Sequence, residues 1–199
     1  MRNIALSLIF SLSVTCSAAA TIKQRDVTMG DVTESWIIVK GLIEQGDTIN
    51  FLTALGNDKQ AVTVWLDSPG GNANEGLAIA RMIKALNLNT YVHDGSSCDS
   101  ICSIMFLSGK RKMATATSRI GIHSAHNAKT KKPDVVANTM IGWYLGSIDY
   151  PEELVELWVT TKPDQLVNLN NGPNAKLRLG LETVQPINVP LLERWLELD

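Results

Sequence analysis

"AVTVWLDSPGGNANEGLAIARMIKAL", residues 61–86, contains a strand, a turn and a helix in that order. Val62, Val64, Trp65 and Leu66 form a short apolar run rich in strand-forming residues, and the run stops at Asp67-Ser68-Pro69-Gly70-Gly71. From Asn74 to Leu86, Ile79, Met82, Ile83 and Leu86 recur at i, i+3, i+4 and i+7, which predicts an amphipathic helix. A strand followed within a few residues by a helix is half of a βαβ unit, so the neighbouring segments decide the class.

Those neighbours repeat the alternation. "SWIIVKGLI" (35–43) reads as a buried strand and "DTINFLTALGN" (47–57) as a helix with Ile49, Leu52 and Leu55 in register. "NTYVH" (89–93) is a further short strand, "ICSIMFLSG" (101–109) a helix apolar on every side, and "SRIGIHSA" (118–125) a strand ending near His123. From about Asp134 onward the chain reads as mainly helical, through "VVANTMIGWYLGSI" and "PEELVELWVT". Repeated strand–helix units with a helical C-terminal part predict an α/β layered domain with largely parallel strands, whose sites gather in the loops at strand ends.

The N-terminus sets the compartment. Arg2 precedes an apolar run from Ile4 to about Val14, and Ser17-Ala18-Ala19-Ala20 follows. These are the parts of a secretory signal peptide over residues 1–20, leaving one domain over 21–199 that is exported to a periplasm or secreted. The run is shorter than the ~20 apolar residues of a transmembrane helix, so no stable membrane span is expected after cleavage. Cleavage leaves 17 basic against 20 acidic residues, which gives no reason to expect a nucleic-acid partner.

Cleavage also removes Cys16 and leaves Cys98 and Cys102, which bracket Ser100. Their spacing permits either a disulfide or two free thiols on one helical face, and an oxidising compartment favours the bridge. No second ligand pair has zinc spacing, so no metal is expected.

Two loops hold residues suited to chemistry. The Ser68–Gly71 loop presents backbone N–H groups where a strand meets a helix, an arrangement that suits a developing oxyanion. Common Pro-Gly turns look the same, so this loop alone decides nothing. Ser100 opens the buried helix, where a serine is either a cap or an exposed nucleophile, and Asp99 is an alternative cap. His123 ends a strand and supplies a candidate base, with His93 and His126 as weaker alternatives.

In this order the motifs are similar to those of the proteolytic subunit of Clp protease. "LDSPGGN", a helix, a short strand, a serine-bearing turn, "FLSG" and "TSRIGIHSA" match clearly over about residues 36–126 and loosely to about 182. "NAKLRLGLET" (174–183) looks like the family's helix before a Gly-Leu turn. The C-x-S-x-C pattern resembles an exported branch of the same superfamily.

The resemblance implies a ClpP/crotonase-like fold and an exported serine hydrolase, a peptidase working through an acyl-enzyme without metal or cofactor. It makes Ser100 the nucleophile, His123 the general base, and the N–H groups of Gly70 and Ile101 the oxyanion donors. Counting back from Gly180, the family's aspartate position falls on Asn168, with Asp164 four residues away as the alternative. A Cys98–Cys102 bridge would then pin the nucleophile turn. The partners implied are peptide or protein substrates, with a homo-oligomer allowed. The competing reading is a binding or scaffold protein of the same fold with a weakened site. A crotonase-type acyl-thioester enzyme fits less well, because export would separate it from coenzyme A substrates.

Overall fold

Parallel pairing of buried, β-branched segments builds the framework that carries the site. In the computed structural model, residues 19–56, 60–127, 129–170, 177 and 179–187 are described. The strands are β1 (Thr21–Met29), β2 (Val32–Lys40), β3 (Thr63–Asp67), β4 (Asn89–Val92), β5 (Ser97–Asp99), β6 (Lys112–Thr115), β7 (Arg119–Ile122), β8 (Val167–Asn168) and β9 (Leu181–Val184). The helices are α1 (Asp47–Leu55), α2 (Ala73–Ala85), α3 (Ile101–Leu107), α4 (Val135–Ser147) and α5 (Glu152–Thr160). The signal-peptide reading falls almost wholly outside the described residues, as does most of the helix expected at 174–179.

Six strands form the main sheet in the order β1-β2-β3-β4-β6-β9, with β1 antiparallel to β2 and the other pairs parallel. One face of the sheet packs on the helices through Ile37, Val39, Val64, Leu66, Ile79, Ile83 and the whole of α3. The other face carries an aromatic cluster in which Tyr91 meets Trp36 and Trp65 edge-on at 5.5 and 5.7 Å. That geometry is one of the preferred aromatic contacts.

A second sheet, β5-β7-β8, branches from the end of β3. Ser68 continues β3 and pairs with Cys98, donating its N–H to Ser97 O at 2.8 Å and accepting from Asp99 N at 2.9 Å. In this way the ends of β3, β5 and β7 are brought side by side.

The expected α/β architecture is present, with three local differences. α1 forms as expected but buries Phe51 and Ala54, while Ile49 and Leu52 are exposed. Five strands, β1, β5, β6, β8 and β9, lie where no strand was expected. The region after Asp134 is not purely helical, since β8 and β9 return to the sheets.

Candidate active site

The SPGG loop, the β5–α3 turn and the segment after β7 converge at one place. Ser100 joins β5 to α3 with φ 56° and ψ −130°. A non-glycine residue at positive φ is strained by about 1–3 kcal/mol, and such strain concentrates at functional positions. The hydroxyl makes no capping bond, and Asp99 does not cap either. Instead Asp99 is buried and paired with Arg119 through both carboxylate oxygens, including Arg119 Nε to Oδ1 at 2.9 Å. With capping removed as an explanation, a strained serine between a strand and a helix is the geometry that exposes a nucleophile.

Several independent constraints hold that turn. Asp99 pairs with Gly121 in the β5–β7 ladder, and Ser100 N donates to Gly121 O at 2.8 Å. Gly70, at φ 92°, lies so close that a Cβ there would sit 2.7 Å from both Asp99 O and Ser100 Cβ. Only glycine fits at that contact. Cys98, in β5, and Cys102, in α3, are fully buried and joined in a disulfide with Cα atoms 5.0 Å apart. The bridge therefore closes the strand–turn–helix corner around Ser100.

His123 follows β7 and is half-buried. Its Nδ1 lies 3.0 Å from Ser124 O. A carbonyl only accepts, so Nδ1 carries the proton and Nε2 keeps its lone pair, the tautomer a general base needs. Burial is the main cause holding the His123 pKa below the ordinary imidazole value, with the neighbouring His126 acting in the same direction. The Ser124 carbonyl and Asp99 oppose the shift. Ser100 and His123 line one cavity of about 670 Å³. No hydrogen bond joins them in this structure, and such contacts often tighten only when substrate binds.

Neither expected third residue is on the ring among the described contacts. Asn168 sits in β8, and its Oδ1 accepts from Ile120 N at 3.2 Å and Asn170 N at 3.0 Å, buttressing β7 three residues before the histidine. Asp164 is exposed on a loop. The group that orients His123 is thus a backbone carbonyl, which no residue type announces. Of the two expected oxyanion donors, Ile101 N–H opens α3 and lacks a carbonyl partner within the helix. Gly70 N–H donates to Ser68 Oγ at 3.1 Å and becomes available only if that bond opens.

Asn138 on α4 is a site-supporting residue that the sequence reading missed. Its Oδ1 accepts from Ala125 N at 2.8 Å and Trp158 Nε1 at 2.9 Å, and its Nδ2 donates to Ala125 O and Asp134 O, both at 2.9 Å. One side chain thereby holds both polar groups of the residue two beyond His123. A polar residue in the uncharged helix α4 was the one available signal.

The comparisons accord with this geometry. A family model described as Clp protease matches residues 19–140. The chain belongs to the Clp protease family. No curated protein matches it. Among solved structures, the ClpP protease catalytic domain of Plasmodium falciparum aligns at TM-score 0.52 and 22% identity, covering 75% of this chain and 83% of that one. A mutant of 1510-N, a membrane-bound stomatin-specific protease, aligns at TM-score 0.53 and 18% identity, covering 79% and 81%. A mutant of ClpP1 from Listeria monocytogenes aligns at TM-score 0.53 and 15% identity, covering 75% and 92%. At these identities the structural likeness shows the fold, and the Clp protease match over more than half the chain shows the family.

Proposed function

We propose that the protein is an exported serine peptidase that cleaves peptide or protein substrates through an acyl-enzyme on Ser100. The observation that carries the reading is the uncapped, positive-φ Ser100 sharing a cavity with a His123 whose Nε2 is unprotonated. His123 Nε2 takes the hydroxyl proton as Oγ bonds to the scissile carbonyl carbon. The oxyanion meets the N–H of Ile101, joined by that of Gly70 once Ser68 releases it. As the C–N bond breaks, His123 returns the proton to the leaving amine, and water repeats the sequence to free the acid. Fluorescein-labelled casein tests this: wild-type protein should hydrolyse it, and Ser100→Ala should not.

Export rests on the N-terminal pattern, supported by the buried disulfide. Cell fractionation with N-terminal sequencing tests it, with Thr21 the expected first residue of a mature single domain in the periplasm or medium. Exposed Val135, Val136 and Trp143 on α4 support a homo-oligomer, which light scattering measures directly. A binding or scaffold role is the second reading. It is favoured by the engaged Gly70 N–H and by the lack of a side-chain orienter on His123 among the described residues.

A further inference from the structure

A triad aspartate does two things for its histidine: it orients the ring, and it stabilises the imidazolium with a negative charge. The Ser124 carbonyl does the first here and carries no charge for the second. Asn168 is neutral, and Asp164 is exposed on its loop. Asp99, immediately before Ser100, is a buried carboxylate whose side chain is only 7% exposed.

The Asp99 side chain lies over β7. Asp99 is the parallel partner of Gly121, and a Cβ at Gly121 would collide with Asp99 Oδ1 and sit 3.2 Å from its Cγ. The carboxylate therefore occupies the space a side chain at 121 would take. Alternate residues of a strand share a face, so 119, 121 and 123 are successive positions of one row. Arg119 bonds Asp99 from one end of that row, and His123, which directly follows β7, stands at the other. Leu166 Cδ2 would be 3.1 Å from the same Cβ, so an apolar side chain shields the carboxylate, and a shielded charge acts over a longer distance.

The order within the row decides the sign. Asp99 comes between Arg119 and the ring, so its negative charge is the nearer, while the Arg119 side chain is half exposed and screened by water. The side chains whose charges act on the His123 ring are His126 and Asp99. Around them, Glu44 at the cavity rim and Lys162 and Asp164 beyond Thr161 are exposed, and Asp134 caps α4.

We propose that Asp99 acts through His123 as the charged partner of the base, its carboxylate stabilising the imidazolium formed when Ser100 gives up its proton. Orientation and charge, united in a triad aspartate, are thus divided between the Ser124 carbonyl and Asp99. The inference rests on the reading of His123 as general base, but the charge on its ring can be measured without turnover.

The experiment is an NMR titration of the His123 ring in Ser100→Ala protein, alone and with Asp99→Asn or Arg119→Gln. The chain has only three histidines, and His123→Ala identifies the signal. Circular dichroism establishes that each variant is folded. Asp99→Asn removes the charge that favours imidazolium, so the titration midpoint should fall by about 0.5 pH unit or more. Arg119→Gln removes the opposing cation and should raise it. A merely structural ion pair predicts no such opposition. An unchanged or raised midpoint in folded Asp99→Asn overturns the proposal. Should that variant not fold, Arg119→Gln decides, with an unchanged or lowered midpoint overturning it, and loss of fold in both makes the pair structural and does the same. With Ser100 restored, Asp99→Asn should lower kcat for casein about tenfold with KM little changed, the mark of a contribution made in the transition state. Casein hydrolysis by the wild-type protein decides the peptidase reading independently.

Discussion

Ser100 and His123 reach the same cavity by opposite means. The serine turn is over-determined: a disulfide, a glycine contact that admits no Cβ, a strand ladder and the Asp99–Arg119 ion pair all act on three residues. The segment after His123 has no covalent fastening. It hangs on the Asn138 bonds, the Ser124 N to Thr161 O bond at 2.9 Å and a short hairpin. Strain explains the asymmetry, because a positive-φ serine relaxes unless its surroundings forbid relaxation. An imidazole at a strand end carries no such strain and needs only orientation.

Among the contacts that position the two side chains, the largest effect on turnover should therefore come from the lightly held side. Asn138→Ala should reduce casein turnover by about 100-fold, the scale of a misplacement near 1 Å, while the far-ultraviolet circular dichroism stays native. A turnover within threefold of wild type would show that the His123 segment does not depend on this clamp. On the serine side, Cys98→Ser with Cys102→Ser should lower stability by about 2 kcal/mol, as expected for closing so short a loop. Its turnover should fall only severalfold, because the other constraints remain. A loss of activity as deep as that of Asn138→Ala would make the disulfide the main positioning element and reverse the comparison.

Much of this contrast could not be read from residue types. The α2 periodicity, the apolar α3 and the order of SPGG, serine and histidine motifs were legible, because each depends on local pattern or on spacing. β5 was not, since Ser97-Cys98-Asp99 is only three residues long and becomes a strand through Ser68 and β7. β1 was missed because its alternation is diluted by Lys23, Arg25 and Asp26 on an edge strand. In α1 the Ile49, Leu52, Leu55 spacing indicated the wrong buried face, since Phe51 and Ala54 are the residues that meet the core. The orienter of His123 was sought among side chains at 164 and 168, but the Ser124 carbonyl is the atom in contact.

Two further effects, on stability and on pH dependence, sharpen the account. Ser100→Gly removes the proposed nucleophile and the positive-φ strain together. It should abolish turnover yet raise stability by about 1 kcal/mol, the strain relieved less the entropy cost of glycine. A fall in stability in a denaturant titration would show that the turn is not strained. The last effect concerns pH. The base works only when neutral, and burial lowers the His123 pKa, so its neutral form persists to more acidic pH than for an exposed histidine. The acid limb of kcat/KM should accordingly have its midpoint below 6.5, the ordinary value for the ring. A midpoint above that value would mean that the base is not a buried imidazole.

The central claim is that Ser100 is a nucleophile activated by His123, and its most direct measurement is reaction with a fluorophosphonate probe followed by peptide mapping. The account predicts one adduct, on Ser100, in folded wild-type protein with the Cys98–Cys102 bridge intact. It predicts none in Ser100→Ala and strong suppression in His123→Ala, because nucleophile and base act as a unit. Folded, disulfide-intact wild-type protein that remains unlabelled, or that carries the adduct on another serine, would contradict it.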